Sequence, residues 1–369
     1  MAALIFIIIL SVLVIIHEAG HFLSAKKYGI KVNEFGLGYP PRVLKLFKWQ
    51  DTIFSLNLIP FGGFVQMEGE NGPDDNASSP DSFYEKSIKA RLHVILAGVF
   101  FNFIFGILAF AFVFYKLGIP TALNNQVRIQ SLAENSPAIR ANLSSNTNIL
   151  AFKVNEQWVE VNSIAAVKKL VSEHLGETVI VRTTLACNQE ICPKEYQENA
   201  IYLRTTAETP SGEGTMGITF TEAIFKTYPW YVMPFATIFH AFKQSFELGL
   251  LIIQSLGQLV TDLFAGKGVS QNVAGPIGIV DQANTYGFFD GGFLSIVNFA
   301  ALLSINLGIM NLLPIPALDG GRAVLVIMEK FFKRKKIDKI AYYLNLIGYV
   351  SLLALMIVVS FNDIRNILK

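Results

Sequence analysis

Four stretches of the chain stay apolar for the twenty or so residues that a helix needs to cross a bilayer. They run from Ala2 to about Ala25, from about Leu92 to Leu117, from near Phe293 to Leu313, and from about Ile340 to Phe361. Between them the pattern changes. Lys31 to Glu68 holds strand-like runs, Ile53–Leu58 and Gly63–Met67, separated by Gly and Pro. Thr121 to Glu208 reads as a soluble-type domain, β-rich at Val127–Ile129 and Thr178–Arg182, with a helical pattern over Ile164–Leu175. A fifth apolar stretch, about Tyr228 to Phe264, carries His240, Lys243, Glu247 and Asp262, which are costly at a bilayer centre. It reads as a helix lying on or dipping into the outer leaflet, with a spanning version as the alternative.

The expected fold is therefore a polytopic α-helical membrane protein of about four transmembrane helices, with a membrane-associated β-hairpin region and one external α+β domain. In segments, 1–27 is the first span, 28–90 a β-rich region and loop, 91–118 the second span, and 119–209 the external domain. Then 210–292 is an amphipathic helical region, 293–328 the third membrane segment, 329–339 a basic loop, and 340–369 the fourth span with the C-terminus. Basic residues cluster after the first helix (Lys26 to Lys48), before the second (Lys86, Lys89, Arg91) and between the third and fourth (Lys330 to Lys339). By the positive-inside rule these loops are cytoplasmic, so 118–292 faces outward. The first stretch has no basic segment ahead of its apolar run, as a signal peptide would.

Composition agrees. The 369 residues are 52% hydrophobic and only 16% charged, against about 25% in soluble proteins. A net charge of +2 points to no nucleic-acid partner. Two cysteines exclude a disulfide-dense scaffold and a Cys-based zinc site.

The chemistry sits in the first span, as His17-Glu18-Ala19-Gly20-His21. Four residues is slightly more than one helical turn, so both imidazoles project from one face and can bind one Zn²⁺. Glu18 stands beside them, placed as a general base. A catalytic zinc needs a third protein ligand, and two residues offer themselves at similar depth. His93 begins the second helix. Asp319, in Asn311-Leu312-Leu313-Pro314-Ile315-Pro316-Ala317-Leu318-Asp319-Gly320-Gly321, is the better candidate, because an unpaired Asp at membrane depth costs about 2.5–3.5 kcal/mol.

An HExxH in the first membrane helix, with Asn-x-x-Pro-x-Pro-x-Leu-Asp-Gly in a later one, resembles the site-2 protease family of intramembrane zinc metalloproteases. Ser304 to Pro314, Pro60 to Glu70 and Gly275-Pro276-Ile277-Gly278 are most similar to its bacterial regulator of sigma-E protease branch. The resemblance implies His17, His21 and Asp319 as zinc ligands and Glu18 as catalytic base. It assigns Asn306, Asn311, Pro314 and Pro316 to substrate binding, and makes Lys31 to Glu68 a β element that dips toward the site, where patterning alone also allows an ordinary cytoplasmic hairpin on the membrane surface. It implies single-span transmembrane substrates of the anti-sigma factor or remnant signal peptide kind, a lipid environment, and a multi-pass location in a bacterial inner membrane. Val99 departs from the family's pattern, standing where Pro is usual in Gly-Pro-x-x-Asn.

Ser136-Pro137-Ala138, Ala141-Asn142-Leu143 and Ile149 to Asn155 resemble a circularly permuted PDZ domain, here single and on the periplasmic side, with Thr147-Asn148 replacing the usual Gly-Asp. Cys187 and Cys192 lie in this domain, either as a local disulfide or as two thiols. Two other functions compete with proteolysis: a membrane-tethered PDZ adaptor with a non-catalytic zinc site, and a metal-ion carrier. The Glu beside the histidines argues against the first, and the lack of visible internal symmetry against the second.

Overall fold

A computed structural model describes residues 1–70, 79–123, 126–185, 195–210, 213–221, 223–265 and 275–367. Cys187 and Cys192 lie outside them. The chain divides into two compact units, Met1–Lys116 with Pro229–Lys369, and Leu117–Tyr228.

Helix α1 (Ala2–Lys27) is about 39 Å long at 1.5 Å per residue, enough to cross a ~30 Å apolar layer. The polar residue within its apolar run up to Ile16 is absorbed locally, since the Ser11 hydroxyl donates to the Ile7 carbonyl at 2.8 Å. After it come two antiparallel partners, β1 (Val32–Trp49) and β2 (Thr52–Met67), turning at Gln50 with φ 51°. Val32–Leu37 lies between two arms of β2, in register with Gly63–Met67 on one side and Ile53–Leu56 on the other. The remainder, Arg42–Trp49, matches Thr52–Asn57. The two runs that the sequence separates are thus arms of one long strand. Its partner is hidden in sequence by Pro40 and Pro41, which cannot donate to a ladder. Buried Glu34 holds the curl, accepting from Ser55 Oγ (2.6 Å) and Arg42 Nε (2.9 Å). Those bonds, Arg42's first, keep its carboxyl below the usual range. Phe35 and Phe54 pack on Phe22 of α1, which seats the hairpin on that helix. Helix α2 (Ile88–Leu117) follows.

The second unit opens with β3 (Ile119–Ala122) and β4 (Val127–Leu132), then the short α3 (Pro137–Arg140), β5 (Thr147–Val154) and β6 (Gln157–Glu160). Next come α4 (Ile164–Glu173), β7 (Thr178–Leu185), β8 (Tyr196–Tyr202), β9 (Ile218–Thr221) and β10 (Ala223–Lys226). The sheet order is β8-β7-β5-β4-β9, with β6 on β5, while β3 and β10 form a separate ribbon. Ser136 and Ser163 cap α3 and α4 through their side chains. Val167, Leu170 and Val171 of α4 close the core over Phe152 and Val181. Asn148 is buried and used, accepting from Arg128 Nε at 3.0 Å and donating to Gln126 at 3.1 Å.

Returning to the first unit, α5 (Met233–Phe264) is one continuous helix. Its buried positions Met233, Thr237, Ala241, Ser245 and Gly249 recur every four residues, and all but the first are small. The opposite face shows Phe235, Phe239, Phe242 and Phe246. A Cβ at Gly249 would lie 3.0 Å from Ile309, which belongs to α7 (Gly292–Leu312). Between these two helices, α6 (Pro276–Thr285) starts at Gly275. Its free N–H groups are taken by Asp363 of α9 (Arg334–Ile367), which accepts from Gly275 N (3.2 Å) and Gly278 N (2.8 Å). That explains the Gly275-Pro276-Ile277-Gly278 wording: a Cβ at 275 would sit 2.7 Å from the carboxylate, and Pro suits the first helical turn. Between α7 and α9 lies α8 (Asp319–Met328), and Glu329 just past it pairs with buried Arg91 at 2.8 and 2.5 Å.

Among the described residues four helices are long and apolar enough to span: α1, α2, α7 and the 336–365 part of α9. This is a multi-pass membrane protein, and α5 is not one of the four. Asp363→Ala should strip the α6 cap and destabilise the protein by about 1–2 kcal/mol. A lower thermal midpoint in detergent checks this, with metal content unchanged because Asp363 touches neither histidine.

Candidate metal centre

His17 and His21 sit one turn apart on α1, both buried, and their rings meet edge to face. Their Nε2 atoms are 3.1 Å apart. Asp319, the first residue of α8, brings Oδ2 to 3.0 Å from His17 Nε2 and 3.3 Å from His21 Nε2. Despite these distances, Oδ2 is buried and takes part in no aligned hydrogen bond. The three atoms converge on a common point. Tetrahedral zinc with ligands at about 2.0–2.1 Å separates them by about 3.3–3.4 Å. The triangle is close to that size, so the donor set of two imidazole nitrogens and one carboxylate oxygen fits the ion.

Several features of the chain force this convergence. Helix α2 runs against α1 with almost no side-chain spacing. A Cβ at Gly20 would lie 2.5 Å from the Ala97 carbonyl oxygen, and one at Gly98 would lie 2.4 Å from His21 Nε2 and 2.8 Å from His17 Cε1. On the remote side of its ring, His21 Nδ1 meets the Val94 carbonyl at 2.9 Å. A carbonyl only accepts, so Nδ1 carries the proton and Nε2 presents a lone pair to the site. Asp319 arrives by a different route. Leu313, ahead of Pro314, is extended (ψ 145°) and ends α7. The loop turns at Ala317 (φ 72°), whose N–H donates to Asn345 of α9. Gly320 and Gly321 then let α8 start against the end of α7, since Cβ atoms there would be 2.2 Å from the Leu312 and Ile315 carbonyl oxygens.

The cluster lies in the wall of a cavity of about 400 Å³. Glu18, half-buried, lines it beside the histidines, as do Gly62, Gly63 and Asn311. A Cβ at Gly63 would touch Glu18 Cγ at 3.4 Å, so glycine keeps the hairpin arm close to that carboxylate. Asn306, Pro314 and Pro316 do not line this cavity. His93 is exposed and hydrogen-bonded to the Lys89 carbonyl, which separates it from the metal cluster.

The sequence from residue 5 to residue 355 matches the model of peptidase family M50. The chain belongs to that family, the site-2 proteases. Family relatives include a protein of Clostridium acetobutylicum named provisionally as a zinc metalloprotease, 30% identical over 97% of this chain and 96% of its own length. A Helicobacter pylori protein with the same provisional name is 30% identical over 98% and 99% of the two chains. One from Campylobacter jejuni is 28% identical over 98% and 93%. In this family setting the metal is zinc, and the protein is a metalloprotease of the membrane.

Two residues of the M50 site escape a reading of motifs. Arg322 lies one turn after Asp319, lines the same cavity and pairs with Glu70 at 2.7 Å. Its i, i+3 spacing from Asp319 is the signal that could have found it. The contact made by Gly98 is the other: the residue stands as the Gly of Gly-Pro-x-x-Asn, but that pattern does not say what it packs against. Gly98→Ala should weaken zinc binding by at least about tenfold, because the added methyl displaces both rings. Gly106→Ala on the same helix meets mainly the Ile305 side chain and should keep its zinc. Metal analysis of the two purified variants makes the comparison.

Proposed function

We propose that this protein is an intramembrane zinc endopeptidase that cuts within or near the transmembrane segment of single-span membrane proteins. The observation that carries the proposal is the place of the metal cluster. His17, His21 and Asp319 meet beside Glu18 in a cavity walled by helices apolar enough to cross a bilayer. His17, His21 and Asp319 hold the zinc, which when bound supplies Lewis acidity toward a carbonyl and water. Glu18 takes the proton from the attacking water and returns it to the leaving amine. Asn311, at the cavity wall, orients the substrate backbone, with Asn306, Pro314 and Pro316 shaping its approach.

A helix resists hydrolysis until its carbonyls are freed, so the substrate must be held extended. The Gly63–Met67 arm suits this task. It pairs with Val32–Leu37 on one side, and no second partner strand is found among the described residues. Gly63 also brings this arm against Glu18. Main-chain pairing to that arm would deliver a scissile carbonyl to the metal side of the cavity.

The wording shared with the regulator of sigma-E protease branch supports anti-sigma factor-like proteins or remnant signal peptides as substrates. It also supports a bacterial inner-membrane location. The β-rich unit with its single long helix α4 supports a PDZ-like domain on the periplasmic side. Burial of Asn148 in β5 makes Thr147-Asn148 a structural substitution there.

Glu18→Gln should lose cleavage by at least about a hundredfold, as for removal of a general base, and keep full zinc. His21→Ala and Asp319→Ala should lose both. Zinc loss in Glu18→Gln equal to that in His21→Ala would overturn the roles. Orientation is tested separately: cysteine probes at Ser144 and Gly268 should be labelled from outside the cell, and one at Lys335 only from the cytoplasm. Opposite labelling of Ser144 and Gly268 would put a span between them.

A further inference from the structure

The two histidines are held from behind in different ways. His21 rests on a main-chain carbonyl, which fixes its tautomer whatever the side chains do. His17 rests on a side chain. Its Nδ1 is 3.1 Å from Nδ2 of Asn102, a residue of α2 with no exposed surface. That residue is anchored to α7 as well, since Ser304 Oγ donates to the Asn102 carbonyl at 2.8 Å.

An amide NH₂ turned toward Nδ1 would donate to its lone pair and put the ring proton on Nε2, facing Asp319. That tautomer cannot bind a metal through Nε2. Meanwhile Asn102 Oδ1 is buried with no hydrogen-bond partner. The two ends of an amide have nearly the same shape, and a half-turn exchanges them. After that turn Oδ1 accepts from Nδ1–H, and the Nε2 lone pair points at the metal position. We propose that Asn102 is the positioning residue of the zinc centre: its amide oxygen accepts from His17 Nδ1–H and selects the ligand tautomer. The inference rests on the metal-centre reading above but adds a residue that contacts no metal.

The test uses the full-length protein in detergent, with zinc affinity measured by competition against a chelator of known affinity. Co²⁺ visible absorption serves as a report on ligand geometry. Asn102→Leu, of similar size but without an acceptor, should weaken zinc about 10–100-fold and alter the Co²⁺ bands. Asn102→Asp, which offers an acceptor whichever way it turns, should bind zinc within about threefold of the natural chain and restore the bands. An Asn102→Leu protein that keeps natural affinity overturns the proposal. So does an Asn102→Asp protein as weak as Asn102→Leu, which would mark the residue as packing alone. Failure of the metal-centre reading looks different: the natural chain and His21→Ala would then bind zinc equally poorly.

Discussion

Helices α1 and α2 meet backbone to backbone, and the metal cluster exists because they do. Gly20 lies under the Ala97 carbonyl, and Gly98 lies under the two imidazoles. In a bilayer, water cannot drive helices together, so association relies on close packing and on polar groups that find partners. Here both sources act at one place. The glycines remove the spacing, and the gap they leave is filled by His17, His21, the Val94 carbonyl and Asn102. A residue of ordinary size at either glycine would separate the helices and leave polar groups stranded in an apolar medium.

The same economy governs the irregular backbone. From Leu313 to Leu318 the chain is not helical, a condition tolerated at membrane depth only where protein or a water-filled cavity satisfies the freed groups. The loop turns back on itself, with Ile315 N donating to the Leu313 carbonyl and Leu318 N to that of Ile315. Asn345, reaching over from α9, takes the Ala317 N–H. Asp319 emerges from this knot at the positive end of α8, where the helix dipole favours its charge. The break therefore aims the carboxylate, and the glycines after it allow α8 to resume at once.

Much of this was legible in the chain, and the parts that were not share a cause. Unbroken apolar runs announce spans because the bilayer imposes their length. His17 and His21 are found by spacing because a helix converts sequence distance into a fixed angle. Asp319 is found by cost, as an acid in an apolar context. Strand β1 escaped because Pro40 and Pro41 mask its propensity, and because its register, folded between two arms of β2, is set by tertiary contact. Arg322 and the roles of Gly98 and Asn102 escaped for the same reason. What they do depends on the helix across from them, which no local pattern encodes.

Between Lys116 and Pro229 the chain departs into its second unit and comes back, and it does so through the β3–β10 ribbon, where Ile119 pairs with Lys226 and Ala122 with Ala223. Outgoing and returning strands are therefore neighbours for their whole length. The unit is thus closed on itself by one ribbon. Everything between Ala122 and Ala223 could be exchanged for another fold, longer or shorter, without moving the two points where the chain rejoins the membrane helices. The half that carries the metal cluster is free to stay constant while the second unit diversifies.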